Sequence, residues 1–293
     1  MNLLKSGELI MPVKVNFFSA GYCTHPEKIV IKGGSSKLVK FYATFVLIEH
    51  PEKGLMLFDT GYSERFYTET KNFPFNIYAK ITPVYFKEEN GAAFQLRQSG
   101  INPNDIKLII LSHFHADHIG GVKDFPNAEF ICFKSAYEEI KGKKGFSSFK
   151  KGFLPGLLPS DFESKLKFAD SLNKINISED YSPFESGFDV FGDRSLIAIN
   201  LSGHSKRQLG LFINTGENIF FLIADACWLS KSYKEFILPH TIADVAFSCK
   251  KEYLNTLKKL HELSKKRPDI NIMPSHCPEF LKKIIDKRGI DAE

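Results

Sequence analysis

The run Ser112-His113-Phe114-His115-Ala116-Asp117-His118-Ile119-Gly120-Gly121 constrains this chain more than any other stretch, because residues 113–118 alone hold three imidazoles and a carboxylate. Buried together without a cation, these groups would be desolvated and would repel one another on protonation. The cluster therefore reads as a metal site. Apolar β-formers, Ile106 to Leu111, lead into it, which puts the ligands at the C-terminal mouth of a buried strand, where α/β sheets carry their sites. Gly120-Gly121 would let the backbone turn sharply after them. Imidazole and carboxylate donors suit zinc, iron or manganese. His113 and His115 can converge on one ion while Asp117 and His118 point elsewhere, so one strand end can serve two metals.

Other features narrow the class. At 293 residues and a net charge of +5, the chain can bury a sizeable α/β core. Its lysines fall in short clusters, such as Lys258-Lys259 and Lys265-Lys266, which read as solvated helix faces and argue against a nucleic-acid stripe. Five cysteines, Cys23, Cys132, Cys227, Cys249 and Cys277, form no CxxC pair, so no disulfide framework is expected and a reducing, cytoplasmic setting is. The first twelve residues lack a signal-type apolar core, and no apolar run approaches a membrane-spanning length. His25, His50, His240 and His261, taken singly, read as hydrogen-bonded core or surface residues.

Taken in order, the chain alternates strands with short helices. Strands are expected over Val13–Phe18, Phe41–Glu49, Gly54–Asp59, Ile106–Leu111 and Glu129–Phe133, with helices over Tyr62–Lys71, Ala92–Ser99 and Ser135–Lys141, the last capped by Ser135. Asp59-Thr60-Gly61 is either an Asx turn or a carboxylate that holds a ligating histidine by its other ring nitrogen. The aromatic, proline-broken segment Phe73–Lys87 can line a pocket. Gly142–Leu172 loses periodicity and reads as an insertion or lid over the site. The second half repeats the pattern: strands Ser195–Leu201, Gln208–Asn214, Asn218–Ile223 and Ile270–Met273, with a long amphipathic helix from Cys249 to Lys266 stopped before Pro268. Its strand ends deliver Gly203-His204-Ser205, Asp225 and Ser275-His276.

In this order, His-x-His-x-Asp-His, Gly-His-Ser, Asp and Ser-His resemble the dinuclear metallo-β-lactamase-fold hydrolases over nearly the whole chain. The resemblance implies a single domain over 1–293, an αββα sandwich of two mixed sheets flanked by helices. It implies His113, His115 and His204 on one metal, Asp117, His118 and His276 on the other, and Asp225 bridging, with a hydroxide between two divalent ions, zinc foremost and iron or manganese in range. Asp117 would orient that hydroxide and shuttle its proton, and Asp59 would stand behind a ligand. The full ligand set argues against exported β-lactamases, and the spacing is nearest the N-acyl homoserine lactonases.

Two departures bear on substrate. Those lactonases carry a tyrosine three residues after the bridging Asp, where this chain has Trp228, whose N–H donates a hydrogen bond but cannot deliver a proton. The loop after His204 reads Ser205-Lys206-Arg207, so Arg207 is expected to face the substrate. Cys227 and Cys277 adjoin ligands, and strand alternation points them away from the metals. The expected activity is cleavage of a small ester, lactone or thioester. The alternatives are a phosphodiesterase or nuclease on the same centre, motivated by Arg207 and the lysine-rich insertion, and a catalytically weak ligand-binding member. The expected partner is a small molecule, with no membrane and no nucleic acid, and a homodimer is left open.

Overall fold

The computed structural model describes residues 12–279, and their strands pair into two sheets. The first contains β1 (Lys14–Pro26), β2 (Leu38–His50), β3 (Gly54–Phe58), β4 (Val84–Tyr85), β5 (Ile106–Ile110), β6 (Glu129–Cys132) and β7 (Leu166–Phe168), ordered β4-β1-β2-β3-β5-β6-β7. The second contains β8 (Asn173–Asn176), β9 (Ser186–Asp189), β10 (Leu196–Asn200), β11 (Leu209–Asn214), β12 (Ile219–Ala224) and β13 (Asn271–Pro274), ordered β13-β12-β11-β10-β9-β8. Both are mixed. β3, β5, β6 and β7 run parallel, as do β12 and β13, and the remaining pairs are antiparallel.

Period-two alternation decides the layering. On β10, Leu196 and Ala198 pack into the core between the sheets, whereas Ile197 and Ile199 join a second apolar cluster on the outer face. β12 behaves alike, with Leu222 and Ala224 inward and Phe221 and Ile223 outward. The central strands β10, β11 and β12 are therefore buried on both sides, which is why they read as continuous apolar runs. Its outer cover is the helix Lys250–Lys266, whose Tyr253, Leu257, Leu260 and Leu263 are buried at helical spacing. Fully burying each such leucine contributes about 1.5–3 kcal/mol. The αββα sandwich that the resemblance implies is the fold observed, with helices flanking two mixed sheets.

Topology brings the site together. β5 delivers its C-terminal end to the same edge as β3, its parallel neighbour. β10, β12 and β13 all run one way, since β11 lies antiparallel between β10 and β12, so their C-terminal ends also share one edge. A backbone hydrogen bond from Leu209 N–H to Ser112 O, 2.8 Å, joins the two edges.

Several local expectations change. The helix expected from Tyr62 to Lys71 shrinks to Arg65–Glu69, and Phe73–Lys87 holds a helix, Phe75–Ile81, before β4. Ser135 does not cap its helix, which runs Lys134–Ile140; the Lys134 N–H is instead met by Asp170 Oδ2 at 2.7 Å. The helix begins one residue before Ser135, which therefore lies inside its first turn and not at its cap. Within Gly142–Leu172, only part covers the site: Phe153, Leu154, Leu157 and Phe162 are buried in the core, and β7 extends the first sheet. β8 and β9 were not expected, because Asn173-Lys174-Ile175-Asn176 carries a single apolar residue. The readings at the extreme termini, including the first residues and the segment after Glu279, lie outside the described residues. No helix among those described is long and apolar enough to cross a membrane.

Candidate metal centre

After β5, the chain passes Leu111 and Ser112 and enters a short helix, Ala116–Ile119, with His115 at its start. The chain turns at Gly120 and Gly121 as expected, but with ordinary negative φ angles that do not themselves require glycine. Their need is spatial: a Cβ on Gly120 would lie 2.6 Å from Gly61 O and 2.9 Å from Ser63 N. The ligand loop is thereby pressed onto Asp59-Thr60-Gly61 and stitched to it. Thr60 donates N–H and Oγ1–H to His118 O at 2.8 and 2.9 Å, and Ser63 donates to Gly120 O at 2.6 Å.

His113, His115, His204 and Asp225 bring one donor atom each within 4.8 Å of one another, and Asp117, His118 and His276 form a second such group. Asp225 reaches across: its oxygens lie 3.0 Å from His276 Nε2, 3.3 Å from His118 Nε2 and 3.3 Å from His204 Nε2. Asp117 lies 3.4 Å from His276 Nε2 and 3.8 Å from His118 Nε2. All seven candidates thus meet at one place.

Tautomers test whether a cation fits. Tyr42 O can only accept, so His276, 2.7 Å away through Nδ1, must donate there. A neutral His276 then aims the lone pair of Nε2 at two carboxylates. His118 repeats the arrangement, with Nδ1 2.7 Å from Asp59 Oδ2 and Nε2 facing Asp225. Lone pairs facing carboxylate oxygens need a proton or a metal ion between them. Without the metal the proton prevails: although burial alone would lower both, the surrounding aspartates raise the pKa of His118 and His276. On the other side burial wins, lowering His113 and His115 and taking His204 to about 3. Those imidazoles stay neutral, the form that binds metal. His113 Nε2, His118 Nε2 and Asp225 Oδ1 are buried with no hydrogen-bond partner, as donor atoms set for an ion would be. The residues fit divalent metal ions.

Asp59 is fully buried and accepts from Ser112 N–H and Oγ–H at 2.8 and 2.7 Å while facing His118. Burial pushes its carboxyl above the ordinary range, against the opposing pull of His118 and Ser112. Of the two readings of this residue, the supporting contact to a histidine is the one the geometry displays.

The centre forms the floor of a cavity of about 640 Å³. Trp228 stands in its wall, stacked on Phe247 at 5.7 Å, and donates Nε1–H to Asp225 Oδ2 at 3.1 Å. Arg207 is not among the lining residues: its guanidinium pairs with Asp170 and lies 4.5 Å over the Phe133 ring. The expectation that Arg207 faces the substrate is corrected, because a buried aromatic face and a carboxylate hold it elsewhere. Cys227 and Cys277 point away, with Cys227 in the outer cluster and Cys277 against Ser230. The segment Phe73–Lys87 lines the cavity as expected, through Tyr78, Ile81 and Thr82, whereas sequence reasoning missed Tyr62, His25 and Glu139, which line it too. Tyr62 was signalled by its place directly after Asp59-Thr60-Gly61. Glu139 gave no signal, since it reads as an ordinary carboxylate on an exposed helix face. His50 and His261 are hydrogen-bonded as expected, to Asp193 and to Tyr233 O, both at 2.7 Å.

Residues 39–205 match the model of the Metallo-beta-lactamase superfamily. The N-acyl homoserine lactonase AttM of Rhizobium radiobacter is 27% identical over 236 residues, covering 80% of this chain and 81% of the relative. The N-acyl homoserine lactonase AiiA of Bacillus thuringiensis subsp. kurstaki is 26% identical, covering 88% of this chain and 90% of its own. A solved N-acyl homoserine lactone hydrolase, with N-hexanoyl-L-homoserine bound at its catalytic metal center, superposes with a TM-score of 0.66 at 23% identity, over 93% of this chain and 97% of that one.

Proposed function

The chain belongs to the Metallo-beta-lactamase superfamily, and from that premise we propose that it is a dinuclear metal-dependent hydrolase that opens a lactone or cleaves a related small ester or thioester. The observation that carries this reading is the pair of ligand groups sharing Asp225 at the floor of a cavity walled largely by apolar side chains. His113, His115 and His204 would hold one divalent ion, Asp117, His118 and His276 the other, and Asp225 both, zinc being the first candidate. When bound, two such ions supply an acidified water and a Lewis acid for the carbonyl oxygen.

The protein's own groups do the rest. Asp117 would hold the proton of the attacking water and pass it to the leaving oxygen, the role open to a carboxylate within reach of both. Trp228 steadies Asp225 through its indole N–H. Phe41, Tyr78, Ile81 and Phe149 line the walls above and exclude water from the reacting carbonyl. Relatives named as N-acyl homoserine lactonases make a lactone with an apolar acyl arm the first substrate to offer. With Arg207 engaged by Asp170, the phosphodiester alternative loses one of its two motives; of the insertion's lysines, Lys150 and Lys151 do line the cavity, and Lys151 is paired with Glu139. The five free thiols suit the reducing, cytoplasmic setting expected.

The test is metal analysis of protein purified without added metal, beside a panel of acyl lactones, thioesters and aryl phosphodiesters. About two ions per chain with lactone or thioester turnover is the expected outcome. Turnover confined to phosphodiesters would overturn the substrate class.

A further inference from the structure

Among the described residues, Glu139, on the helix Lys134–Ile140, is the one carboxylate lining the cavity besides Asp117 and Asp225. Its oxygens accept from Lys151 Nζ at 2.7 Å, Ser248 Oγ at 2.9 Å and the Lys206 N–H at 3.1 Å. Each donor belongs to a segment that touches a metal-binding histidine. Lys206 follows His204 by two residues. Ser248 donates its own N–H to His204 O at 3.0 Å, and Cys249 does the same to Gly203 O at 3.0 Å. Lys151 precedes Gly152, whose backbone, at φ +60°, lies so near the His115 ring that a Cβ would come within 2.6 Å of it. Three charge-assisted hydrogen bonds on one carboxylate that is 14% exposed make a stiff junction.

We propose that Glu139 is a positioning residue that fastens the covering segment 144–152 and the His204 loop to one another, and so holds His115 and His204 in ligating geometry. The inference rests on the metal-site reading above and adds a coupling to it. Closing the cavity and completing the three-histidine side become one event, because the same carboxylate serves both. His118 and His276 do not share this junction, since Asp59 and Tyr42 O hold their rings. Burial taken alone would raise the Glu139 carboxyl, but Lys151, Lys206 and Ser248 together hold it below the ordinary glutamate range. It is therefore charged, as the junction requires.

The experiment is stepwise zinc titration of the full chain against a chromophoric chelator, for wild type, Glu139→Ala, Glu139→Gln and Lys151→Met. The result expected for Glu139→Ala is that one of two zinc ions binds about 10–100-fold more weakly, the usual effect of losing a contact behind a ligand, while the other keeps its wild-type affinity and certifies the fold. Glu139→Gln keeps an acceptor for Lys206 and should fall between, and Lys151→Met should weaken the same ion less than Glu139→Ala does. Equal weakening of both ions, or of neither, would overturn the proposal. Wild type that binds two zinc ions but hydrolyses nothing on the panel would sink the hydrolase reading alone, and the affinity split would still decide the role of Glu139. Wild type that takes up no zinc would overturn both.

Discussion

The two sides of the centre are braced by different means. His118 is held from behind by Asp59, on the turn that closes the neighbouring strand, and the stitching of Thr60 and Ser63 keeps that brace within one sheet edge. His115 and His204 are held from the front, by segments that also form the cavity wall and meet at Glu139. One side is thus part of the core and the other part of the mouth. A rear brace lies out of reach of the cavity's contents, whereas a front brace is built from residues that line it. Substrate contacts should accordingly reach the three-histidine side first.

Substitutions can break or sharpen this contrast. Asp225→Ala should have the largest effect, because Asp225 is common to both sides. Both metal ions and hydrolysis should be lost together, beyond the roughly 100-fold that losing a supporting contact costs; metal content after gel filtration reads this directly. A variant that kept both ions would erase the bridge. Asp59→Asn should weaken the His118 ion by about 10–100-fold and spare the other, the mirror image of Glu139→Ala. If stepwise titration found both variants weakening the same ion, the contrast would be void.

Gly152→Ala comes next. The left-handed backbone adds strain of about 1–2 kcal/mol, and the new methyl would displace either His115 or the covering segment. Zinc binding on the three-histidine side should fall while the His118 side is unchanged, and chemical denaturation should show the strain. Cys227→Ala should do least. Its side chain lies in the outer cluster, beyond the second sheet, so metal content should be unaltered. A loss of about 1 kcal/mol, seen as a melting point about 2–4 °C lower, would be its whole effect. Loss of metal in that variant would mean that the two faces of the sheet are not insulated.

The same contrast explains what could be read before the structure was seen. The rear brace was visible because Asp59 sits in Asp-Thr-Gly at a strand end, a local pattern with few uses. Each of the seven candidate ligands stood at or just after the end of an apolar run, and the αββα layering was what the family resemblance implied. The front brace was invisible because it is assembled from residues 139, 151, 206 and 248, which no periodicity links. Arg207 misled for the same reason: its partners, Asp170 and Phe133, are distant in sequence and outcompete the cavity for its charge. The Lys134 N–H, at the start of its helix and met by Asp170, is a third instance. Local chemistry predicts well until a charged group from elsewhere in the chain offers a better partner.

The cavity walls carry a final implication. Most come from pieces that hold no metal, such as the helix Phe75–Ile81 and the turn Thr241–Ala246, so an evolving lineage could exchange them and acquire new substrates while leaving its chemistry intact. The stretches around Lys151 and Ser248 lack that freedom. They are tethered to the reaction through one glutamate, and a lineage that rebuilt them would have to invent its catalyst again along with its appetite.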